Sequence, residues 1–319
     1  AFYRMLGDHF YSTSGEFEWR EIPCEDELKT STELAVALPE DNADFQTLAA
    51  SLAESLPRRP KISAEAEQAP EHRAARRAIL KRIVKAPDYQ VKAALAHEKT
   101  EGTTKSRGWR LRVGDDWTVP AVELTRGDST KTVLLVHDSG RAAAVSEINR
   151  LLDEGARVVA VDPFYFGESK IASRDFLFGL LVASVGERPL GIQAAQLAAV
   201  ARWLDGDREL GPVHLVAVGP RSGLFAMIAA AIETKTVAGI EATGSFGGLK
   251  EIIEQNQAVN QAPELFCFGL LREFDVRDVA ALVAPRPVTF RGPSDRVRKE
   301  FGDPGAWKKL RGGDLKFID

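Results

Sequence analysis

Cysteine is nearly missing from this chain: Cys24 and Cys267 are the two it has among 319 residues. Two cysteines cannot form a disulfide framework, and they read as two thiols rather than a bridge. Neither stands in a CxxC or Cys/His spacing, so zinc is not implied, and no other cofactor is called for. The compartment stays open. Long apolar runs are also lacking. Nothing approaches the roughly 18–20 apolar residues that cross a bilayer, and the best candidates, residues 176–185 and 224–232, read as core helices. No charge sign dominates: the formal net charge of −4 gives no reason to expect nucleic acid or a membrane as partner. Histidine is scarce, with five in all and none beyond His214. An initiator methionine and a signal peptide are absent, and residues 1–10 have the pattern of an amphipathic helix. That opening reads as the inside of something longer.

What is present reads as one large α/β domain with an appendage. Hydrophobic residues make up 44% and charged residues 28%, the balance of a globular protein. Residues 1–60 read as a tail helix plus linker, with acidic irregular sequence at residues 21–27. A second helix is expected at 44–56, ended by Pro57-Arg58-Arg59-Pro60. Residues 61–103 read as a helical lead-in. Residues 64–97 are rich in Ala, Arg, Lys and Glu, which favours exposed helix with a solvated charged face, broken at Pro87.

Residues 104–319 change rhythm. Residues 108–113 and 117–124 alternate in period two around Gly114-Asp115-Asp116, a hairpin signal. Apolar runs at 132–136, 157–161, 213–218, 237–240 and 288–290 read as buried parallel strands. Helical segments at 142–154, 192–204, 224–233 and 276–283 alternate with them. The expected fold is α/β, with a mostly parallel sheet and helices on both faces, preceded by a largely helical and irregular N-terminal segment.

The most telling stretch is Gly219-Pro220-Arg221-Ser222-Gly223, between a strand and a helix. Strand, glycine-bracketed turn and helix form the setting of the G-x-S-x-G nucleophile elbow of serine hydrolases. Here the central position is Arg221, and the one hydroxyl falls a place later, at Ser222.

With Val133-Leu134-Leu135-Val136-His137-Asp138, Val161-Asp162-Pro163-Phe164-Tyr165-Phe166-Gly167-Glu168-Ser169 and residues 278–288, the elbow gives an order of segments that resembles the α/β-hydrolase superfamily. The resemblance is to its acetyl-xylan-esterase and dienelactone-hydrolase-like branch, over residues 104–319. Residues 1–10 resemble the closing helix of a preceding domain of the same type, which implies an upstream hydrolase domain as partner.

The resemblance implies a serine nucleophile, an aspartate, a histidine after the last strand and backbone oxyanion donors. Arg221 cannot attack a carbonyl, because its guanidinium is permanently protonated. Ser222 can serve only if the turn is shifted by one residue. Asp295, in Gly292-Pro293-Ser294-Asp295, matches the family aspartate, yet without a histidine it reads as the cap of a helix beginning near Arg296. The strand at 314–318 is followed by Asp319, and no histidine follows. His137 and His214 read as packed or structural.

Asp138-Ser139-Gly140 retains the oxyanion donors by position, although the Asp138 charge opposes a developing oxyanion. Arg221, at the start of a helix, either holds an anion or pairs with an acid such as Glu241. The candidate vestigial site is therefore Arg221, Ser222, Asp295, His137 and Asp138. The glycine-rich Gly244-Ser245-Phe246-Gly247-Gly248 lacks a P-loop lysine and reads as a plain loop. Phe164, Tyr165, Phe166, Phe176 and Phe178 read as packing or as the wall of an apolar cleft.

Three functions follow. The favoured one is a catalytically degenerate hydrolase module with a structural or ligand-binding role, its ligand small and anionic or a carbohydrate. The second is an active carboxyl-ester hydrolase completed by a missing segment or second chain. The third is a non-hydrolytic enzyme reusing the cleft.

Overall fold

A computed structural model describes residues 2–11, 17–18, 20–56, 63–171 and 176–319. The chain divides into two compact units, Ala1–Phe45 and Gln46–Asp319. Among its described residues the first holds helix α1 (Phe2–Phe10) and a 3-10 turn, Glu25–Glu27, in the acidic stretch. Helix α2 (Phe45–Glu54) starts at the boundary, and the Pro57–Pro60 stop expected after it lies outside the described residues.

A nine-stranded sheet organises the second unit. Its strands are β1 (Val91–Glu101), β2 (Thr104–Val113), β3 (Trp117–Arg126), β4 (Lys131–His137), β5 (Ala156–Val161), β6 (Val213–Val218), β7 (Val237–Thr243), β8 (Val288–Arg291) and β9 (Leu315–Ile318). The order across the sheet is β1-β2-β3-β5-β4-β6-β7-β8-β9. Pairings from β1 to β5 along that order are antiparallel, and those from β5 to β9 are parallel. The helices are α3 (Ala64–Gln68), α4 (Pro70–Val84), α5 (Val145–Asp153), α6 (Phe176–Ser184), α7 (Pro189–Asp205), α8 (Pro220–Ile232), α9 (Lys250–Glu254), α10 (Leu270–Glu273), α11 (Val276–Val283), α12 (Asp295–Phe301) and α13 (Pro304–Arg311).

Strand alternation assigns the two faces. Leu134 and Val136 of β4 and Leu215 and Ala217 of β6 join the main core with Leu80 and Val84 of α4 and with α7, α8 and α11. Val133, Leu135 and Val216 point the other way and form a smaller core under α5 with Ile148, Leu151 and Leu152. Helices α7 and α8 are apolar nearly all round, which is why both are buried along most of their length. Among the described residues no helix is long and apolar enough to cross a membrane.

Two expectations for the helical lead-in are corrected. The helix stops at Val84, where Lys85 turns left-handed (φ 52°), and residues 91–101 form a strand instead. That strand pairs with β2 along its length, yet nearly every residue in it is exposed. A strand wet on both faces carries no apolar alternation, so its composition reads as helix.

The basic residues of α4 are not merely a solvated face either. Arg73 donates to the carbonyls of Ala284 and Arg311, Arg76 to that of Glu273 and Arg77 to that of Leu282. These carbonyls close α11, α13 and α10. One helix thus supplies the donors that three helix ends lack, with the charge that a helix C-terminus favours.

Candidate functional site

The elbow forms where β6 runs into α8, and the helix begins earlier than its apolar pattern suggests, at Pro220. Gly219 has φ 112°, a conformation that L side chains rarely adopt. A Cβ there would also lie 2.2 Å from Cγ of Asp138. Glycine is therefore required twice over, for the turn and for the approach of a carboxylate. Proline suits the first helical position because its missing N–H would have had no partner.

The remaining free N–H groups of the first turn go to Asp138, at the end of β4. Its Oδ1 accepts from Ser222 N at 2.6 Å and its Oδ2 from Arg221 N at 3.2 Å. A carboxylate here is favoured by the helix dipole and satisfies otherwise orphaned donors. In a G-x-S-x-G elbow, the N–H after the nucleophile is an oxyanion donor. By position that is Ser222 N, and it faces a full negative charge.

The loop donors expected to remain available are also engaged. Asp138 N donates to Val218 O at 2.9 Å, Gly140 N to His137 O at 2.8 Å and Ser139 N to His137 Nδ1 at 3.0 Å. Nor is the turn shifted by one residue. Ser222 is fully buried inside α8, and its Oγ donates to Val218 O at 2.7 Å.

Arg221 occupies the central position of the turn. Its Nε donates to Oε1 of Glu264, in the 3-10 turn Pro263–Leu265, and its guanidinium lies 4.6 Å from the Phe166 ring centroid. The Glu264 side chain is 0% exposed and that of Arg221 19%. Burial works against the Arg221 charge, but the hydrogen bond and charge of Glu264, with Asp138 and Tyr165 adding, hold its pKa above the usual arginine value. The acid expected as a partner, Glu241, is elsewhere. It lies within β7 and accepts from Arg150 at 2.7 Å and Arg291 at 2.8 Å.

Glu264 was missed because it stands in no motif. Its one signal is a lone acid in the apolar stretch Ala262-Pro263-Glu264-Leu265-Phe266, which needs a cation beside it once the fold buries it.

The other candidates take no part in the elbow's hydrogen bonds. Asp295 is exposed at the start of α12 and is not its cap: Ser294 Oγ takes that role, accepting from Val297 N at 3.2 Å. His137 and His214 share the strand parity of Val133 and Val216, so both face α5, whereas Ser222 belongs to α8 on the opposite face. The glycine-rich loop is filled by the protein's own acids. Gly247 N and Gly248 N both donate to Glu251 Oε1, at 2.7 and 2.9 Å.

Burial, with Lys131 nearby, pushes the His214 pKa below the ordinary histidine value of 6.5, against an opposing pull from Glu241. The fold thus favours neutral His214. Its contribution to stability is complete above about pH 6.5 and is lost as pH falls through the folded value. Between about pH 7.5 and 5.5 the wild type should lose more melting temperature than His214→Gln. Equal losses in the two would show that His214 contributes nothing.

A parallel sheet in this order, entered by an antiparallel hairpin, with the strand–turn–helix elbow after β6, is the α/β-hydrolase fold. Solved esterases share it. Similar structures include a Bacteroides fragilis protein assigned as an acetyl xylan esterase (TM-score 0.67, 14% identity, covering 88% of this chain and 84% of that one). Acetyl xylan esterase 1 from Thermoanaerobacterium sp. is another (TM-score 0.52, 14% identity, 85% and 91% covered). A third is a glucuronoyl esterase from Solibacter usitatus (TM-score 0.53, 13% identity, 76% and 82% covered). No family model matches the sequence, and no curated protein matches it in sequence.

Proposed function

We propose that this chain is a catalytically degenerate α/β-hydrolase module with a structural or ligand-binding role, within a larger acetyl-xylan-esterase-like hydrolase. Its implied partner is an upstream hydrolase domain of the same parent chain. One observation carries the reading: the Asp138 carboxylate sits on the N–H of Ser222 while the central side chain, Arg221, is tied to Glu264. Ester hydrolysis needs an attacking oxygen at the apex, an imidazole to take its proton and free donors for the tetrahedral oxyanion. An arginine at the apex cannot attack, and a carboxylate on the oxyanion donor repels the charge that the donor should stabilise. Because Asp138 already fills the anion position at the start of α8, a neutral ligand such as a carbohydrate suits the module better than an anion does.

The test is p-nitrophenyl acetate hydrolysis by the full chain. The expected rate is that of the buffer, unchanged in Ser222→Ala. Turnover that Ser222→Ala abolishes would overturn the proposal and favour an active esterase.

A further inference from the structure

Helix α6 carries no charged residue, and none stands between Phe176 and Val185. A helix apolar all round belongs in a core, and residues 176–185 read as one in the sequence. The structure corrects that expectation: Gly179 is the one residue of α6 that is buried.

The packed side of the helix is narrow. Gly179 lies against the 3-10 turn Pro263–Leu265, so close that a Cβ on it would stand 2.7 Å from Cγ of Pro263. Phe176 and Val182 pack on the small cluster of Phe164, Tyr165 and Ile192. By helical spacing the opposite side carries Leu177, Leu180, Leu181 and Val185. All four are exposed, Leu181 at 59% and Val185 at 78%. The contact with Pro263 brings Phe266 and Phe268, the next residues of that loop, to the same side of the molecule. Phe268 is 72% exposed, and the Arg188 guanidinium lies 5.2 Å from its ring centroid, which places that ring at the C-terminal end of α6.

Scaled by side-chain size, about 200 Å² for an aromatic residue, these six residues expose roughly 650 Å² of apolar surface. The largest apolar patch on a monomeric protein is typically about 300–600 Å². A standard interface buries about 800 Å² on each partner, and its rim is polar. The face therefore supplies most of one side of such an interface.

We infer that this chain forms a homodimer through this face, α6 with Phe266 and Phe268 meeting the same surface of a second copy across a two-fold axis. A two-fold contact sets a patch against itself, so a patch with charges of one sign would repel its copy. This patch has none. A lipid surface fits less well, because helices that lie on membranes carry a Lys/Arg face and anionic lipid is drawn by about four to eight basic residues. At the end of α6 stand Glu187 and Arg188, of opposite sign. The inference is independent of the degenerate-site reading, because neither Arg221 nor Ser222 belongs to the face.

The test is sedimentation velocity of the full chain at about 1–100 µM, the range in which standard-sized interfaces begin to hold. A reducing agent keeps the exposed Cys24 from linking copies. A dimer is expected, half formed at about 10 µM or below. Leu181→Glu puts a charge on the helix and Phe268→Glu puts one on the loop. Both positions are exposed, so the circular dichroism spectrum should not change. Each variant should weaken association at least about 30-fold. Val145→Glu alters an exposed apolar residue on α5, across the sheet from α7, and should leave the dimer intact.

A monomer at about 100 µM overturns the inference. So does a dimer that survives both Leu181→Glu and Phe268→Glu, or one that Val145→Glu also dissolves. A monomer that floats with phosphatidylcholine–phosphatidylserine vesicles, and fails to as Leu181→Glu, overturns it in favour of a lipid surface. A monomer in which Leu181→Cys, on a Cys24→Ser background, resists a maleimide overturns it in favour of a segment of the same chain.

Discussion

Glu264→Ala is expected to destabilise the protein by about 3–5 kcal/mol in urea unfolding, the cost of leaving a buried charge without its partner. The Glu264 side chain is wholly buried and Arg221 mostly so. Removing the acid strands a guanidinium that cannot give up its proton, beside the aromatic rings of Phe166 and Tyr165. The double variant Glu264→Leu/Arg221→Met replaces the pair by apolar groups of similar size and should recover most of that loss, because neither charge then needs desolvation. This contrast separates an ion pair from ordinary packing: if the double variant is no more stable than Glu264→Ala, the pair is not what holds the turn.

Asp138→Ala comes second in size, at about 2 kcal/mol. It removes a helix cap and leaves Ser222 N a buried donor without an acceptor. Asp138→Asn should cost less, since an amide oxygen can still accept one of the two N–H bonds. A role for Asp138 confined to the surface would make both variants neutral in thermal unfolding. Neither variant is expected to gain esterase activity, because clearing the oxyanion donor does not supply an attacking oxygen.

The parallel strands, the β2–β3 hairpin and the elbow were legible because each is written locally. Buried strands are short apolar runs, and the hairpin joins two alternating segments with Val113 paired to Trp117. Strand β1 was not, since an edge strand exposed on both faces leaves no period-two trace. At the site, the sequence exposed the substitution at Arg221 and the conflict posed by Asp138, two facts about residue identity. It could not say that Glu264, rather than Glu241, would meet Arg221, because that pairing depends on how a loop between β7 and β8 returns over α8. The helix cap at Ser294 rather than Asp295 is a one-residue boundary that only backbone geometry decides. The spacing of Arg73, Arg76 and Arg77 on α4 was visible, but the carbonyls they cap belong to elements some two hundred residues away in the chain.

The central claim is that no side chain at this elbow is an activated nucleophile. Its most direct measurement is intact-protein mass spectrometry after incubation with a fluorophosphonate, which phosphonylates an activated serine and leaves an ordinary hydroxyl untouched. The account predicts an unchanged mass. A stoichiometric adduct mapped to Ser222 would contradict it.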